Sequence, residues 1–325
     1  MSATELLSPL DRKIVAALQV NGRAAWSRIA EVLDVPERTV AAHGVELLRT
    51  KQVRMTALTL LPKGGVLDST IASVHCVSGM NRVTATAAAA RPNSVFTYLT
   101  NGHTACVFEL MTDRTQVPTV VLDEIPAMPG AERAETSTVL RLYKGTHQWH
   151  PGILDADQVA ALRDQEQAER LTGSVELAPL GREEQEFARV LAANGRATVE
   201  ELARVTALAP SSARRRLMQL QASGRLFDRA VVEPAALGFP TQAILRIRTL
   251  PGRTEALAAR LAQVPEVRYL AFTTGRHQLF VDIACVDHDA LTTFLMRADW
   301  ADDAAEVDTS IILQALKRSG VRMDE

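Results

Sequence analysis

The sequence has few of the residues that mark secreted, membrane-bound and metal-binding proteins. It contains only 3 cysteines in 325 residues, and Cys76, Cys106 and Cys285 lack the spacing of a zinc site or a disulfide framework. No run approaches the roughly 18 apolar residues that span a membrane, and the first residues lack the pattern of a secretory signal. We therefore expect free thiols, a cytoplasmic location and no membrane partner.

Strong net charge and enzyme signatures are also missing. The formal net charge is −2, so any binding to a polyanion must come from a local patch. No nucleophile arrangement, phosphate-binding loop or pair of metal-binding carboxylates is recognisable, and His147 and His150 have no cysteine or carboxylate at ligand spacing. We predict no catalytic residue, no cofactor and no metal site.

What the sequence does contain is an internal repeat. The tetrapeptide NGRA occurs at residues 21–24 and again at residues 194–197, an offset of 173. The same offset pairs Ala30 with Ala203 and Leu47 with Leu220, without a gap. One constant offset over most of each half indicates two copies of one module.

Each copy opens with the pattern of three short helices. In the first copy Ser8 and Pro9 form a typical helix start, and Asn21-Gly22 ends that helix. Apolar residues then recur at helical spacing from Trp26 to Leu33, a turn follows, and a further helix runs to about Thr50. A short alternating segment, residues 53–60, predicts the strands of a wing or a linker. This order predicts a winged helix-turn-helix.

The second part of each copy has a mixed pattern. Between residues 64 and 145 it predicts the order β-α-β-β-α-β, with Asn101-Gly102 as a hairpin turn, which is typical of a ferredoxin-like fold. Residues 239–318 repeat this pattern. We therefore predict the α+β fold class, with two winged helix-turn-helix domains alternating with two ferredoxin-like domains.

A basic stretch in the second copy indicates DNA contact. Residues 196–229 hold seven arginines and three acidic residues, a local charge of +4, whereas residues 26–54 have only +1. In helix-turn-helix proteins the start of the second helix enters the major groove, where arginine and serine side chains bond bases or phosphates. The predicted DNA-contact residues are Ser211, Ser212, Arg214, Arg215 and Arg216 in the second copy, and Arg28, Arg38, Thr39 and His43 in the first. A solvated charged helix face is the alternative interpretation.

The segment LDRKIVAALQVNGRAAWSRIAEVLDVPERTV resembles the N-terminal signature of Lrp/AsnC (feast/famine) transcription regulators. The resemblance covers nearly the whole chain, taken twice. It implies a DNA-binding regulator whose ferredoxin-like domains, termed RAM domains, pair through their sheets into dimers or higher homo-oligomers and bind small effectors, usually amino acids. The predicted domains are residues 1–60 and 179–234 (winged helix-turn-helix), 61–145 and 235–325 (RAM), and 146–178 (connector).

The same resemblance places an effector loop between the second and third strands of each RAM domain. By that resemblance the effector-binding residues are Thr100, Asn101, Gly102 and His103 in the first copy and Thr273, Thr274, Gly275, Arg276 and Gln278 in the second. The family's aspartate in this loop is replaced by Ala105 and Gln278. Because the partner for an ammonium group is gone, this loop is not expected to recognise an ordinary α-amino group, and the predicted effector is an amino acid or a related metabolite.

Two alternatives remain open from the sequence. Lrp-like chains with the same doubled architecture also occur as sirohaem decarboxylases, and His103 and His277 lie near the two hairpins. An isolated histidine there could act as an acid or base, but an enzyme does not need a basic recognition helix. The two RAM domains could pair within one chain or between chains.

Overall fold

The computed structural model describes residues 5–59, 67–102, 104–163, 180–223 and 226–323. The described residues of 7–66 and 152–233 form one compact unit, here called the helical unit. Those of 1–6, 67–151 and 234–325 form the other, here called the sheet unit. The last part of the predicted connector, residues 164–178, lies outside the described residues.

The first part of the helical unit is a three-helix bundle. Its helices are α1 (Pro9–Val20), α2 (Trp26–Leu33) and α3 (Glu37–Arg49). The Ser8 hydroxyl accepts a hydrogen bond from the Asp11 amide, as an N-terminal cap should. Asp34 has a left-handed conformation, φ 53°, and ends α2 in the turn before α3. Ile14, Ile29 and Val40, one from each helix, are fully buried in the bundle. These bounds agree with the helix-turn-helix pattern read from the sequence.

A connector helix and a second bundle complete the helical unit. The helices are α6 (Ala156–Leu162), α7 (Arg182–Ala193), α8 (Val199–Thr206) and α9 (Pro210–Ala222). Ala207, which lies 173 residues after Asp34, has the same left-handed conformation, φ 55°. Buried Phe187, Leu202 and Leu217 form the core of this bundle. The turn between α8 and α9 therefore repeats the turn between α2 and α3.

The strand that follows each bundle does not fold back as a wing in the described residues. Strand β1 (Arg54–Thr59) pairs in antiparallel register with β6 (Leu226–Val231), from Arg54 opposite Val231 to Thr59 opposite Leu226. The predicted wing is therefore a two-stranded ribbon shared by both copies. A single strand per copy cannot satisfy its own backbone groups, whereas pairing it with its counterpart does.

The repeated NGRA tetrapeptides hold this ribbon and the two bundles together. The Arg23 guanidinium donates to the carbonyls of Gly195 and Ala197, and Arg196 donates in the reverse sense to those of Gly22 and Ala24. A Cβ atom on Gly195 would lie 2.7 Å from the backbone oxygen of Thr56 in β1. Only glycine allows this approach.

The sheet unit begins with the predicted order of strands and helices. Its elements are β2 (Leu67–Cys76), α4 (Asn81–Ala90), β3 (Ser94–Thr100), β4 (Cys106–Asp113), α5 (Val117–Thr119) and β5 (Ala131–Lys144). The predicted second helix, residues 116–125, is a short α-helical start that continues as a π-helical turn, Val120–Glu124. A π-turn has hydrogen bonds five residues apart, which residue periodicity does not reveal.

The second half of the sheet unit has the same order. Its elements are β7 (Thr241–Thr249), α10 (Thr254–Ala262), β8 (Val267–Thr273), β9 (Leu279–Cys285), α11 (His288–Leu295), α12 (Ala298–Ala301), β10 (Ala304–Arg318) and β11 (Val321–Arg322). Alternate residues of β7, such as Ala243 and Leu245, pack towards the helices.

The two halves join into one ring of eight strands. The first four strands pair in the order β5-β2-β4-β3, and the last four in the order β10-β7-β9-β8. Long strand β5 continues past β2 to pair with β8, while β10 continues past β7 to pair with β3. The RAM-like halves therefore pair within the chain, which gives each of their outer strands a partner.

The interior of the ring is a core of its own. Ile71, Phe96, Tyr98, Tyr269 and Phe280 meet there, and the rings of Phe96 and Tyr98 are stacked with centroids 4.7 Å apart. Separate apolar cores lie between each half of the sheet and its helices.

In the described part of the chain no helix is long and apolar enough to cross a membrane. No group of three or more histidine, cysteine and acidic residues is placed there to hold a metal ion.

Candidate functional site

The outward face at the start of α9 presents two arginines. Ala213, Leu217 and Leu220 turn inward and are buried, which leaves Arg214 and Arg215 exposed on the opposite side. Pro210 occupies the first helical position, and Ser211 beside it is exposed. In a helix-turn-helix, cations exposed near the start of the second of its two helices, here α9, have the placement that major-groove contact requires.

The third arginine of the triplet is held by the protein itself. Arg216 is only partly exposed, and its Nη2 donates to the Glu183 carboxylate at 3.2 Å. Its Nη1 lies 3.7 Å from a carboxylate oxygen of Glu184. Both acids are in the first turn of α7. The predicted row of five contact residues is therefore divided, with Ser212 and Arg216 partly covered and the other three exposed.

The predicted DNA-contact residues of the first copy are less available. His43 Nδ1 lies 2.7 Å from Asp11 Oδ1, on the neighbouring helix α1. Arg28 donates to Glu31 at 2.6 Å and to the carbonyl of Ala161 in α6 at 2.9 Å. Arg38 is exposed and Thr39 is partly exposed at the start of α3. Arg38 is thus the cation that this copy presents at the position expected for groove contact.

A buried carboxylate marks the ribbon between the two bundles. Asp228, in β6, is 4.0 Å from Arg23 and accepts a hydrogen bond from Gln221 at 2.8 Å. Burial raises the pKa of Asp228 to about 6, against the opposing effect of Arg23. The residue 173 positions earlier is Met55, so only the second copy has a carboxylate at this position of the ribbon.

The effector turn predicted in the first half is bonded to the protein's own strands. The Thr100 hydroxyl donates to the Thr104 carbonyl. The Asn101 amide donates to the Ile311 carbonyl at 3.0 Å, and its side-chain oxygen accepts from the Ile311 amide at 2.6 Å. Gly102 has φ +89°, and His103 lies outside the described residues. This turn attaches β3 to β10.

The turn predicted in the second half has the same role at the other junction. Thr274 exchanges hydrogen bonds with the backbone of Thr138 in β5, and the Thr273 hydroxyl donates to the His277 carbonyl. The side-chain nitrogen Nε2 of Gln278 caps the turn by donating to the carbonyls of Gly275 and Arg276. Gly275 has φ +101°. The polar groups of both turns are therefore used mainly to close the ring.

Beside these turns lies a cavity of about 880 Å³. Two of the predicted effector residues, Thr273 and Arg276, line it. The sequence alone did not indicate most of its other lining residues, among them Ser73, His75, Thr104, Arg133 and Arg246. Arg246 shares one face of β7 with Gln242, Ile244 and Arg248, and a charged residue inside a strand rich in apolar residues was the signal available for it.

Arg246 is the most connected residue of the cavity. It is 9% exposed, and its Nη1 donates to Asp308 at 3.1 Å and to the Ser310 hydroxyl at 3.4 Å. Its Nη2 donates to the hydroxyl oxygens of Ser73 at 3.3 Å and Thr104 at 3.0 Å. A buried guanidinium needs such partners to offset its loss of water.

A histidine faces the same cavity. His277 Nε2 is buried without a hydrogen-bond partner among the described residues, 4.0 Å from the Glu306 carboxylate. Burial lowers the pKa of His277, although Glu306 acts in the opposite direction. Neutral imidazole is therefore favoured in this structure, with a ring nitrogen available to a ligand.

Two family models match parts of the chain. The one described as AsnC-type helix-turn-helix domain matches residues 7–42, in the first bundle. The one described as Lrp/AsnC ligand binding domain matches residues 242–321, in the second half of the sheet unit. The two matches thus fall on different copies of the repeated pattern.

Curated relatives are about half as long as this chain. The HTH-type transcriptional regulator FL11 of Pyrococcus horikoshii is 27% identical over 142 residues, which are 43% of this chain and 94% of that protein. The regulator of the same name from Pyrococcus furiosus is 28% identical over 131 residues, 40% of this chain and 87% of that protein.

A solved structure has a similar fold over nearly the whole chain. The sirohaem decarboxylase NirDL, in complex with an iron-uroporphyrin III analogue, superposes with a TM-score of 0.62 and 13% identity. The superposition covers 91% of this chain and 88% of that one. At this identity the likeness concerns the fold alone. Residues 7–42 and 242–321 thus match two domains of the Lrp/AsnC family of transcription regulators, and the named relatives are transcriptional regulators of the helix-turn-helix type.

Proposed function

We propose that the chain is a sequence-specific, double-stranded-DNA-binding transcription regulator that acts in the cytoplasm. The observation that carries the proposal is the pair of exposed arginines, Arg214 and Arg215, at the start of α9. The first bundle matches the family's helix-turn-helix model, and the second bundle has the same left-handed turn before its last helix. The exposure of these arginines leaves them free to contact DNA. Ser211 joins these arginines, and Arg38, which lies 173 residues before Ser211, is the exposed cation at the start of α3 in the first copy.

The proposed architecture is a doubled form of the family module. It would comprise two helix-turn-helix domains, residues 1–60 and 179–234, and two RAM domains, residues 61–145 and 235–325, joined by the connector, residues 146–178. The relatives align to about two fifths of the chain and to most of their own length. Pairing of β5 with β8 and of β10 with β3 would replace the dimer of a shorter relative. Any homo-oligomer would then use other surfaces.

A small-molecule effector would act in the sheet unit. The second half of that unit matches the family's ligand-binding domain, and the cavity beside its turns is large enough for a ligand. Regulation requires that the ligand bind one conformation of the regulator more tightly than another.

The test begins with genomic fragments selected by the purified protein. Their affinity is then measured against salt for wild type, for the Arg214→Ala/Arg215→Ala double variant and for Arg189→Ala. Arg189 is an exposed arginine on α7 of the same bundle, so it controls for removal of charge alone. We expect the double variant to reduce the slope of log affinity against log salt by roughly 0.9 for each phosphate that its arginines no longer neutralise. An unchanged slope would refute the proposal.

Sirohaem decarboxylation is the second candidate, because NirDL has a similar fold over 91% of the chain. His277, with its unbonded Nε2, is the group that could serve as an acid or base. Anaerobic titration with sirohaem, followed by absorbance, tests this directly. A spectral change that His277→Ala abolishes would support sirohaem decarboxylation. The absence of any spectral change with the wild type would exclude it.

A further inference from the structure

The cavity of the sheet unit is not the same on its two sides. Residues that lie 173 positions apart meet in it, as the hydrogen bond from Arg246 to Ser73 shows. Two further pairs with the same offset also line the cavity, Thr104 with His277 and Arg133 with Glu306. The two members of each pair differ in chemistry: a guanidinium and a hydroxyl, an imidazole and a hydroxyl, and a cation and an anion. A ligand in this cavity therefore has one preferred orientation.

Two hydroxyl groups at one end are arranged to donate. Ser73 and Thr104 are buried, and each oxygen accepts a hydrogen bond from Arg246 Nη2. A hydroxyl whose oxygen accepts from a cation keeps its own hydrogen for another acceptor. Since both side chains line the cavity, an anionic oxygen placed there would receive two hydrogen bonds, with the Arg246 charge behind them.

The cavity also offers anionic groups. Glu135 and Asp308 line it and are partly accessible, with 59% and 45% of their side-chain surfaces exposed. Each already has one arginine partner, Arg133 at 2.7 Å and Arg246 at 3.1 Å. A carboxylate has room for about four hydrogen bonds, so both can accept more from a ligand ammonium group. Three arginines and three carboxylates make the lining neutral overall, which suits a zwitterion.

The size of the space favours a ligand larger than a free amino acid. Its volume, about 880 Å³, is near the upper end of the range of roughly 300–1,000 Å³ that drug-sized ligands occupy. Ile71, Leu279 and Phe280 add an apolar wall between the polar groups. The predicted effector turns, in contrast, use their hydrogen-bonding groups to close the ring.

We propose that this cavity is a single binding site per chain for a zwitterionic molecule of about dipeptide size. Ser73 and Thr104, supported by Arg246, form the end that takes the carboxylate, and Glu135 and Asp308 take the ammonium group. The inference deepens the proposed regulation by a ligand and rests on it only for the biological role of binding. Of the two predicted turns, only Thr273 and Arg276 line the cavity, and the remaining predicted turn residues in the described part of the chain then position the strands around it.

The test is isothermal titration calorimetry of the full chain, without DNA, against the set of unblocked dipeptides and the free amino acids. We expect at least one dipeptide to bind with a stoichiometry of one per chain. Its N-acetylated and its C-amidated forms should bind about tenfold more weakly or worse. Binding of two molecules per chain, equal affinity for the blocked forms, or no binding by any dipeptide would overturn the proposal.

Variants locate the carboxylate end. In Ser73→Ala/Thr104→Val the free dipeptide and its C-amide should bind with similar affinity, because the groups that distinguish them are gone. Thr292→Val, which removes an exposed hydroxyl on α11, should keep the wild-type difference of about tenfold. Retention of that difference in the double variant would refute the assignment of this end. If the double variant does not fold, the series of blocked dipeptides on the wild type still decides the proposal.

The two proposals can fail separately. If the protein binds a dipeptide but does not recognise DNA, the proposed transcription regulation is refuted and the proposed ligand site is supported. DNA recognition by a protein that binds no dipeptide would do the reverse.

Discussion

The third helices of the two bundles, α3 and α9, present different side chains on corresponding faces. Helix α9 carries Arg214 and Arg215 where α3, 173 residues earlier, has Ala41 and Ala42. Yet the family's helix-turn-helix model matches the first bundle. The first bundle is therefore the one that resembles the family's domain, whereas the second bundle is the one with the cationic helix. Once two bundles share one ribbon, β1 with β6, each can change its outer face without disturbing the common core.

Removal of the two exposed arginines of α9 should have the largest effect on this comparison. An arginine that bonds a base edge contributes roughly 1–3 kcal/mol of discrimination. The Arg214→Ala/Arg215→Ala variant should therefore bind its selected DNA about 100-fold more weakly. Arg38→Ala, in the first bundle, should reduce affinity by less than about tenfold. Fluorescence anisotropy with a labelled fragment measures both, and an equal reduction for the two variants would show that the copies contribute alike.

The ribbon gives a second difference, in its response to pH. The raised pKa of Asp228, about 6, means that the folded state keeps a proton that the unfolded state loses from about pH 4 upward. The contribution of Asp228 to the free energy of unfolding should therefore fall by on the order of 2 kcal/mol as the pH rises from 4 to 6.

Asp228→Asn removes that titration. Urea unfolding at pH 4, 5, 6 and 7 should show that the variant gains stability relative to wild type over this interval and keeps the gain at pH 7. Glu200→Gln, at an exposed position in α8, is the control and should follow wild type. A variant that becomes less stable than wild type as the pH rises would show that the charged form is the favoured one.

Cations added to the first bundle should bring it closer to the second. Ala41 is partly exposed and Ala42 is exposed on α3, so arginine fits there without disturbing the core. The Ala41→Arg/Ala42→Arg variant should bind DNA about tenfold more tightly and steepen the salt dependence. Measurement on unrelated DNA as well shows whether the gain is specific. No change in either affinity would place α3 away from the duplex.

The smallest effect is expected at the third arginine of the triplet. Because Arg216 is paired with Glu183 and Glu184, Arg216→Ala should change DNA affinity by less than about threefold. It should reduce stability by under about 1 kcal/mol, as is usual for partly exposed ion pairs. Anisotropy and urea unfolding on the same preparation give both values. A reduction in affinity as large as that of Arg214→Ala would mean that Arg216 leaves its acids on binding.

Local pattern was enough to predict most of the elements. The Ser8-Pro9 start of α1, the turn before α3 and the Asn101-Gly102 hairpin each depend on neighbours in sequence, and each is found. The π-helical turn at Val120–Glu124 was read as ordinary helix because both share the same apolar spacing. The predicted segment of the wing or linker is found as strand β1, but its partner β6 lies about 170 residues away, which local pattern does not reveal.

The candidate site was less accessible from sequence for the same reason. The role of Arg246 depends on Ser73, Thr104 and Asp308, which come from three other strands or turns. The NGRA repeat was noticed as a mark of duplication. Its arginines, however, bond carbonyls of the opposite copy, which no single copy predicts. Predicted roles for Arg28, His43 and Arg216 did not take account of acidic or carbonyl partners on adjacent helices.

The ring of eight strands has a consequence for the cell that contains this protein. A regulator that must find a second chain to complete its sheet can form mixed pairs with related regulators made at the same time. Here β5 and β10 find their partners on the same polypeptide, at an effective concentration that no separate chain reaches. The sheet is thus completed without a second chain, and its two halves are always present in equal number.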